Sequence, residues 1–275
     1  MRIHCDIRVQ MLTAVLLAYL PMFIYAQANE AGEDPVERAI AKRKTESATT
    51  ETLSEVDAII KANPNHPKIL QLRFWRIRAM KGISRKEDNI REAISEYKNL
   101  LKEVGPDTEL GYDCLKDIGS LLFNYLQASE EAYCHYKSME NHPLLSGDDL
   151  QSQYRKIQLY RFIAWSAQGA RRTDEAEKYA LLVMAYPYLG MKDRDMYRKF
   201  YQLYREAGNT LLTIYCNDKD KLKSIEIYPS QQWLYKRRQE LLNGTFISPP
   251  TGVSGAPTTT TTERIIPVIP AIRGK

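Results

Sequence analysis

Apolar residues recur at helical spacing over most of the middle of this chain. Residues 163–187 contain the end of one helix, a polar turn and a second helix. In the second helix Ala176, Tyr179, Ala180, Val183 and Met184 fall at i, i+3, i+4, i+7 and i+8, a single buried stripe. Thr173 is placed to cap that helix, Asp174 and Glu175 suit its positively polarised first turn, and Pro187 stops it. Ile90, Ala93, Ile94, Tyr97, Leu100 and Leu101 form an uninterrupted stripe over 89–104. The same spacing predicts helices from Pro35, with Val36, Ala39 and Ile40 on one side, and from Leu53 to Ala62. It predicts others over 67–81 (Leu70, Phe74, Ile77), 109–127 (Leu115, Ile118, Leu122) and 129–141, the last capped by Ser129. Tyr154, Ile157, Tyr160 and Ala164 mark a helix over 150–169, and Met196, Phe200, Leu203 and Tyr204 one over 193–207 that ends at Gly208-Asn209. Trp233, Leu234, Arg237, Leu241 and Leu242 mark the last, over 230–243.

Elsewhere the pattern changes. Leu212, Ile214 and Cys216 alternate with Thr213 and Tyr215, and Ile225 and Ile227 alternate with Ser224 and Glu226. With polar 217–222 between them, these read as a small β-hairpin. The competing reading is a short helix that completes a fourth repeat. The tripeptide Asn65-His66-Pro67 returns as Asn141-His142-Pro143, each time between two helices. Asn tolerates the left-handed conformation that ends a helix and Pro suits the start of the next, so both histidines read as exposed turn residues.

Residues 1–28 read as a secretory signal: Arg2 and Arg8, then an apolar run over 11–26, then the small-x-small sequence Ala26-Gln27-Ala28. The run is short for a membrane span and contains Pro21, which favours cleavage over an anchor and leaves no stable membrane span. At the other end, 248–275 carries five consecutive threonines and paired prolines. It has too few large apolar residues to bury and reads as disordered, apart from the apolar run IIPVIPAI over 265–272. The expected organisation is a signal peptide (1–28), an N-terminal segment (29–52), a helical repeat domain (53–208), a C-terminal hairpin and capping helix (209–247), and the tail (248–275).

The helical hairpin recurs. Ala93, Tyr97 and Leu100 before Pro106 keep the spacing of Ala176, Ala180 and Val183 before Pro187, and Ala132, Tyr136 and Met139 before Pro143 make a third copy. The three alanines lie 39 and 44 residues apart. Over roughly 53–208 the chain resembles the tetratricopeptide-repeat superfamily, whose second helices carry this pattern of small, apolar and terminal proline residues. The first helices lack that family's Leu-Gly pair and following Tyr, and the units exceed its usual length of about thirty-four residues. The resemblance implies a mainly α fold, a tetratricopeptide-like α-solenoid of stacked hairpins whose first helices face a concave groove.

Composition narrows the function. A formal charge of +5 spread along the chain does not suggest a nucleic-acid partner. After removal of 1–28 three cysteines remain, Cys114, Cys134 and Cys216, without the spacing of a disulfide framework or zinc site. Asn243-Gly244-Thr245 matches the N-glycosylation pattern, which chance produces as readily. No GxSxG, GxxxxGK[ST] or HExxH motif occurs, so no catalytic, cofactor-binding or metal-binding residue is expected. The resemblance then implies an exported, non-enzymatic scaffold or adaptor of the periplasm, cell envelope or medium that binds a protein or peptide. Arg73, Arg76, Tyr112, Tyr154, Arg161 and Trp165, on first helices, are the expected groove residues. The alternative is a carbohydrate- or small-ligand-binding protein using some of its eighteen tyrosines as stacking surfaces.

Overall fold

The computed structural model describes residues 34–45, 49–188, 191–227 and 231–244. Among them are eleven α-helices and one 3-10 turn, with no strand. The chain divides into two units, Met1–Val104 and Gly105–Lys275. The expected signal segment 1–28 and the tail 248–275 lie outside the described residues, as does Thr245 of the glycosylation pattern. No described helix is long and apolar enough to cross a membrane.

The first unit holds α1 (Pro35–Thr45), α2 (Thr50–Ala62), α3 (Ile69–Ile83) and α4 (Glu87–Val104). Pro35 opens α1, where its missing N–H forfeits no intrahelical bond, and Asp34 accepts from the Val36 N–H at 2.8 Å. Thr49 caps α2 through a reciprocal pairing with Thr52, so the threonine-rich stretch that interrupts one helix also starts the next. Val36, Ala39, Ile40, Val56 and Leu72 form one core, with Ile69 and Trp75 packed against it. Ile90, Ala93, Ile94, Tyr97 and Leu100 of α4 are all buried, and Tyr97 meets Phe74 of α3 with ring centroids 5.6 Å apart.

The second unit holds α5 (Glu109–Asn124), α6 (Ser129–Ser138), the 3-10 turn (Pro143–Leu145), α7 (Leu150–Gly169), α8 (Thr173–Met184), α9 (Arg194–Ile214), α10 (Lys219–Ser224) and α11 (Gln232–Leu242). From α5 to α9 each helix packs on its sequence neighbour, and α7 also packs on α9. The two hairpin joints are built alike. Gln127 between α5 and α6, and Arg171 between α7 and α8, have φ of 52° and 61°. Each costs about 1 kcal/mol of left-handed strain. The next residues bond back to the preceding helix, Ala128 N–H to Leu122 O at 2.9 Å and Arg172 N–H to Ala167 O at 2.8 Å. Beyond each joint the small residue, Ala132 or Ala176, is fully buried. Gly119 of α5 extends this close packing, since a Cβ there would overlap the Tyr136 ring of α6.

Three expectations are corrected. Ser129 and Thr173 do not cap α6 and α8; the caps are Ala128 and Arg172, with no side-chain bond. The joints are so tight that Ser129 and Thr173 already stand at the first helical position, where the acids Glu130, Glu131, Asp174 and Glu175 meet the helix dipole. The β-hairpin is absent. α9 runs through Gly208-Asn209 to Ile214, burying Leu211 and Leu212, and Lys219–Ser224 is a short helix, the competing reading of that stretch. Gly208 is small because Leu234 of α11 packs against it, so it does not end the helix.

The histidines of the repeated tripeptide are not free turn residues either. His142 is buried: Nδ1 accepts from the Leu144 N–H at 3.2 Å, and Nε2 lies 2.8 Å from the Pro106 carbonyl just before α5. His66 repeats the arrangement half-buried, with Nδ1 accepting from the Lys68 N–H at 3.1 Å and Nε2 2.7 Å from Asp34 just before α1. With Nδ1 as acceptor, Nε2 carries the proton and donates. Each ring ties the end of a hairpin to its beginning.

Candidate functional site

In the first unit α2, α3 and α4 frame an open depression of about 290 Å³. Arg73 and Arg76 point into it from successive turns of α3, beside Asp57 of α2, Glu96 and Asn99 of α4, and an apolar floor of Ile60 and Ile77. The helical stripe of α3 turns Phe74 and Ile77 inward, which leaves both arginines at its edge. Arg73 grips Glu103 with both terminal nitrogens, at 2.6 and 2.8 Å. Arg76 reaches Asp57 at 2.5 Å through Nε and Glu96 at 2.6 Å through NH1. Hydrogen bonding to Arg73 holds the Glu103 carboxyl below its ordinary value, against desolvation. Bonding to Asp57 raises Arg76 in turn, against desolvation. Every charge here is matched yet touched by solvent, and such pairs contribute only about 0–1 kcal/mol each. An incoming anion could replace one partner for another at little cost.

The second unit treats its expected groove residues differently. Tyr112 is 3% exposed, with its ring 5.0 Å from that of His142. Arg161 is 9% exposed; its guanidinium lies 4.0 Å from the Phe162 centroid and 4.3 Å from that of Trp165. Arg161 NH1 meets Glu206 of α9 at 2.9 Å, but neither Arg161 Nε nor Glu206 Oε2 has a well-aligned hydrogen bond. Burial lowers the Arg161 pKa and Glu206 opposes the shift. Tyr112 and Arg161 are therefore interior and leave the set of contact residues. Tyr154, edge-on to Phe200 at 5.5 Å, and Trp165 remain half-buried.

The tyrosines mostly serve the interior as well. Tyr97, Tyr136, Tyr179, Tyr188 and Tyr204 are among the largest fully buried side chains. Tyr179 bonds to both Lys137 and Glu140, and desolvation first, with Glu140, pushes its hydroxyl up to about 12. Among the cysteines, burial and then Asp117 push the Cys114 thiol up to about 12, whereas Cys134 and Cys216 are exposed. No group of three or more His, Cys, Asp or Glu suited to a metal ion occurs among the described residues.

Comparison with family models, with curated proteins and with solved structures finds no match to this chain. Geometry alone carries the functional reading. It also adds a surface that the sequence reading passed over, an open depression of about 690 Å³ on α8 and α10 floored by Leu181 and Leu182. The signal was present: both leucines fall off the Ala176–Ala180–Val183 stripe.

Proposed function

We propose that the protein is an exported, non-enzymatic adaptor whose helical hairpins form a tetratricopeptide-like array and bind a protein or peptide partner. The observation that supports this reading is the α2–α4 depression. It is open, carries both signs of charge over an apolar floor, and contains Arg73 and Arg76, two of the residues picked out by helix phase. A partner carboxylate, from an acidic side chain or a chain end, would take a guanidinium from Asp57, Glu96 or Glu103 in a bidentate exchange. Isoleucines 60 and 77 would receive an apolar side chain beside it. The three acids facing two arginines would reject a strongly acidic ligand and favour one of mixed charge.

The test is affinity capture from source-cell envelope extract on the protein from Asn29 onward, beside an Arg73→Glu/Arg76→Glu variant. One defined protein held by the first and lost by the second, with affinity falling as salt rises, supports the reading. Equal retention by both moves the partner site elsewhere. Retention of nothing above background removes the adaptor reading.

A further inference from the structure

The chain's formal charge is unevenly placed. Helices α9 and α11 hold seven Lys and Arg against three Asp and Glu, a net +4 of the chain's +5. On α9 much of it lies along one side. Arg194, Tyr197, Arg198, Tyr201 and Arg205 fall at i, i+3, i+4, i+7 and i+11, a face about 16 Å long. Its arginines are exposed and its tyrosines half-buried. The face runs on into α11, where the Trp233 ring is 46% exposed, with the guanidinium carbons of Arg205 and Arg237 at 5.9 and 5.5 Å. The nearby acids oppose it weakly. Asp195 meets Arg198 at 3.4 Å with both side chains largely exposed, Glu206 is turned to Arg161, and Glu240 acts on Arg237 along α11. Exposed Glu226 stands beside Tyr204, and Lys199 and Arg238 are engaged elsewhere, over the Tyr154 ring and on the Ile225 carbonyl.

The tyrosines show which anion fits. The Tyr197 ring packs against those of Tyr188 and Tyr201, 5.6 and 6.3 Å away, so the ring faces are taken up within the protein. The hydroxyls of Tyr197 and Tyr201 are open to solvent, and among the described residues neither has a hydrogen-bond partner. Tyr204 and Tyr215, by contrast, donate to the Glu226 carbonyl at 2.9 Å and to Glu177 at 2.6 Å. A single strand of nucleic acid needs ring faces for its bases. This face offers guanidiniums interleaved with phenol hydroxyls, and one exposed indole. A uronic-acid unit carries all three complements: a carboxylate for an arginine fork, hydroxyls for a phenol, and an apolar C–H face for an indole.

We propose that the α9–α11 face binds an acidic polysaccharide built of uronic-acid units. Carboxylates along the polymer pair with Arg194, Arg198 and Arg205, with Asp195 giving up Arg198. Sugar hydroxyls bond to Tyr197 and Tyr201, and one sugar ring lies on Trp233 beside Arg237. Affinity then comes from a row of weak contacts, each screened by salt. The face uses no residue of the α2–α4 depression, so either reading can fail without the other.

The test is isothermal titration of the full chain with an oligogalacturonate and, for a different linkage, a hyaluronate oligosaccharide. Beside them run the methyl-esterified oligogalacturonate and an oligothymidylate of equal charge. An acidic sugar should bind with affinity that falls as salt rises, and esterification should weaken it about tenfold. Arg198→Ala/Arg205→Ala should lose about tenfold. Tyr197→Phe/Tyr201→Phe, which removes only the hydroxyls, should lose about threefold. Circular dichroism checks folding, and Arg198→Gln/Arg205→Gln replaces the alanine pair if that pair unfolds. No binding of either acidic sugar overturns the proposal, as does equal binding of the ester. An oligothymidylate that binds as tightly, or a tyrosine variant that binds as well as the unchanged chain, overturns the sugar assignment in favour of a general polyanion surface.

Discussion

The two units use the same sequence devices in different surroundings. An arginine on α3 and an arginine on α7 both interleave with apolar helix positions, yet Arg76 pairs with two carboxylates at a solvent-touched edge, and Arg161 is enclosed by Phe162, Trp165 and Glu206. The Asn-His-Pro turns differ in the same direction. Half-buried His66 meets a carboxylate that keeps partial exposure, and buried His142 meets the backbone carbonyl of Pro106. Water is the variable. Where it reaches, the pairs are weak and exchangeable, which suits recognition. Where it is excluded, breaking a pair leaves an uncompensated group, which suits structure.

The largest test of that contrast is Glu206→Ala. It strands the Arg161 charge and should cost about 3–5 kcal/mol in a urea titration, whereas Arg161→Met with Glu206→Leu should recover most of the loss. A cost below about 1 kcal/mol would put Arg161 in the same class as Arg76. Next comes His142→Ala, which removes a buried ring and its bonds to the Leu144 N–H and the part-buried Pro106 carbonyl. It should cost about 1–3 kcal/mol by thermal or urea unfolding, with His66→Ala costing less. Arg76→Ala should cost about 1 kcal/mol or less in stability while weakening partner capture, which separates recognition from folding.

The smallest effect is on pH dependence. Desolvation pushes the Asp34 carboxyl up, but the Glu37 and Val36 N–H groups and His66 outweigh it and hold the group below its ordinary 3.8. A lowered folded pKa gives stability that is present above 3.8 and is lost as pH falls through the folded value. Asp34→Asn should therefore flatten the acid limb of a stability-versus-pH curve below 3.8. At the corresponding place in the second unit Pro106 offers a carbonyl with no carboxyl to titrate, so His142→Ala should lower the curve without removing that limb. An Asp34→Asn curve that overlays the unchanged protein's would show that the His66 turn does not couple to proton uptake.

Much of the fold was legible because helix period is local. The α4 stripe and the buried alanines of α6 and α8 follow directly from spacing, as does the start of α1 at Pro35. What failed depended on residues far along the chain. Gly208 looked like a helix end because glycine tolerates the left-handed form, but it is small for Leu234. The alternation of Leu212, Ile214 and Cys216 with Thr213 and Tyr215 imitated a strand, but α9 runs to Ile214 and buries the adjacent Leu211 and Leu212. For the candidate site, helix phase found Arg73 and Arg76 because a single edge of α3 decides their exposure. It could not distinguish Arg161, whose burial is set by α9 and by Glu206, forty-five residues later.

The unequal settings of Cys114, Cys134 and Cys216 give the molecule built-in attachment chemistry. A maleimide reacts with the thiolate, so at neutral pH Cys114, with its thiol held near 12 and its sulfur enclosed, should stay unlabelled. Cys134, within α6, and Cys216, just after α9, should each take one dye. In the protein from Asn29 onward, energy transfer between the two dyes then turns the spacing from α6 to the end of α9 into an optical ruler, readable on single molecules without altering a residue.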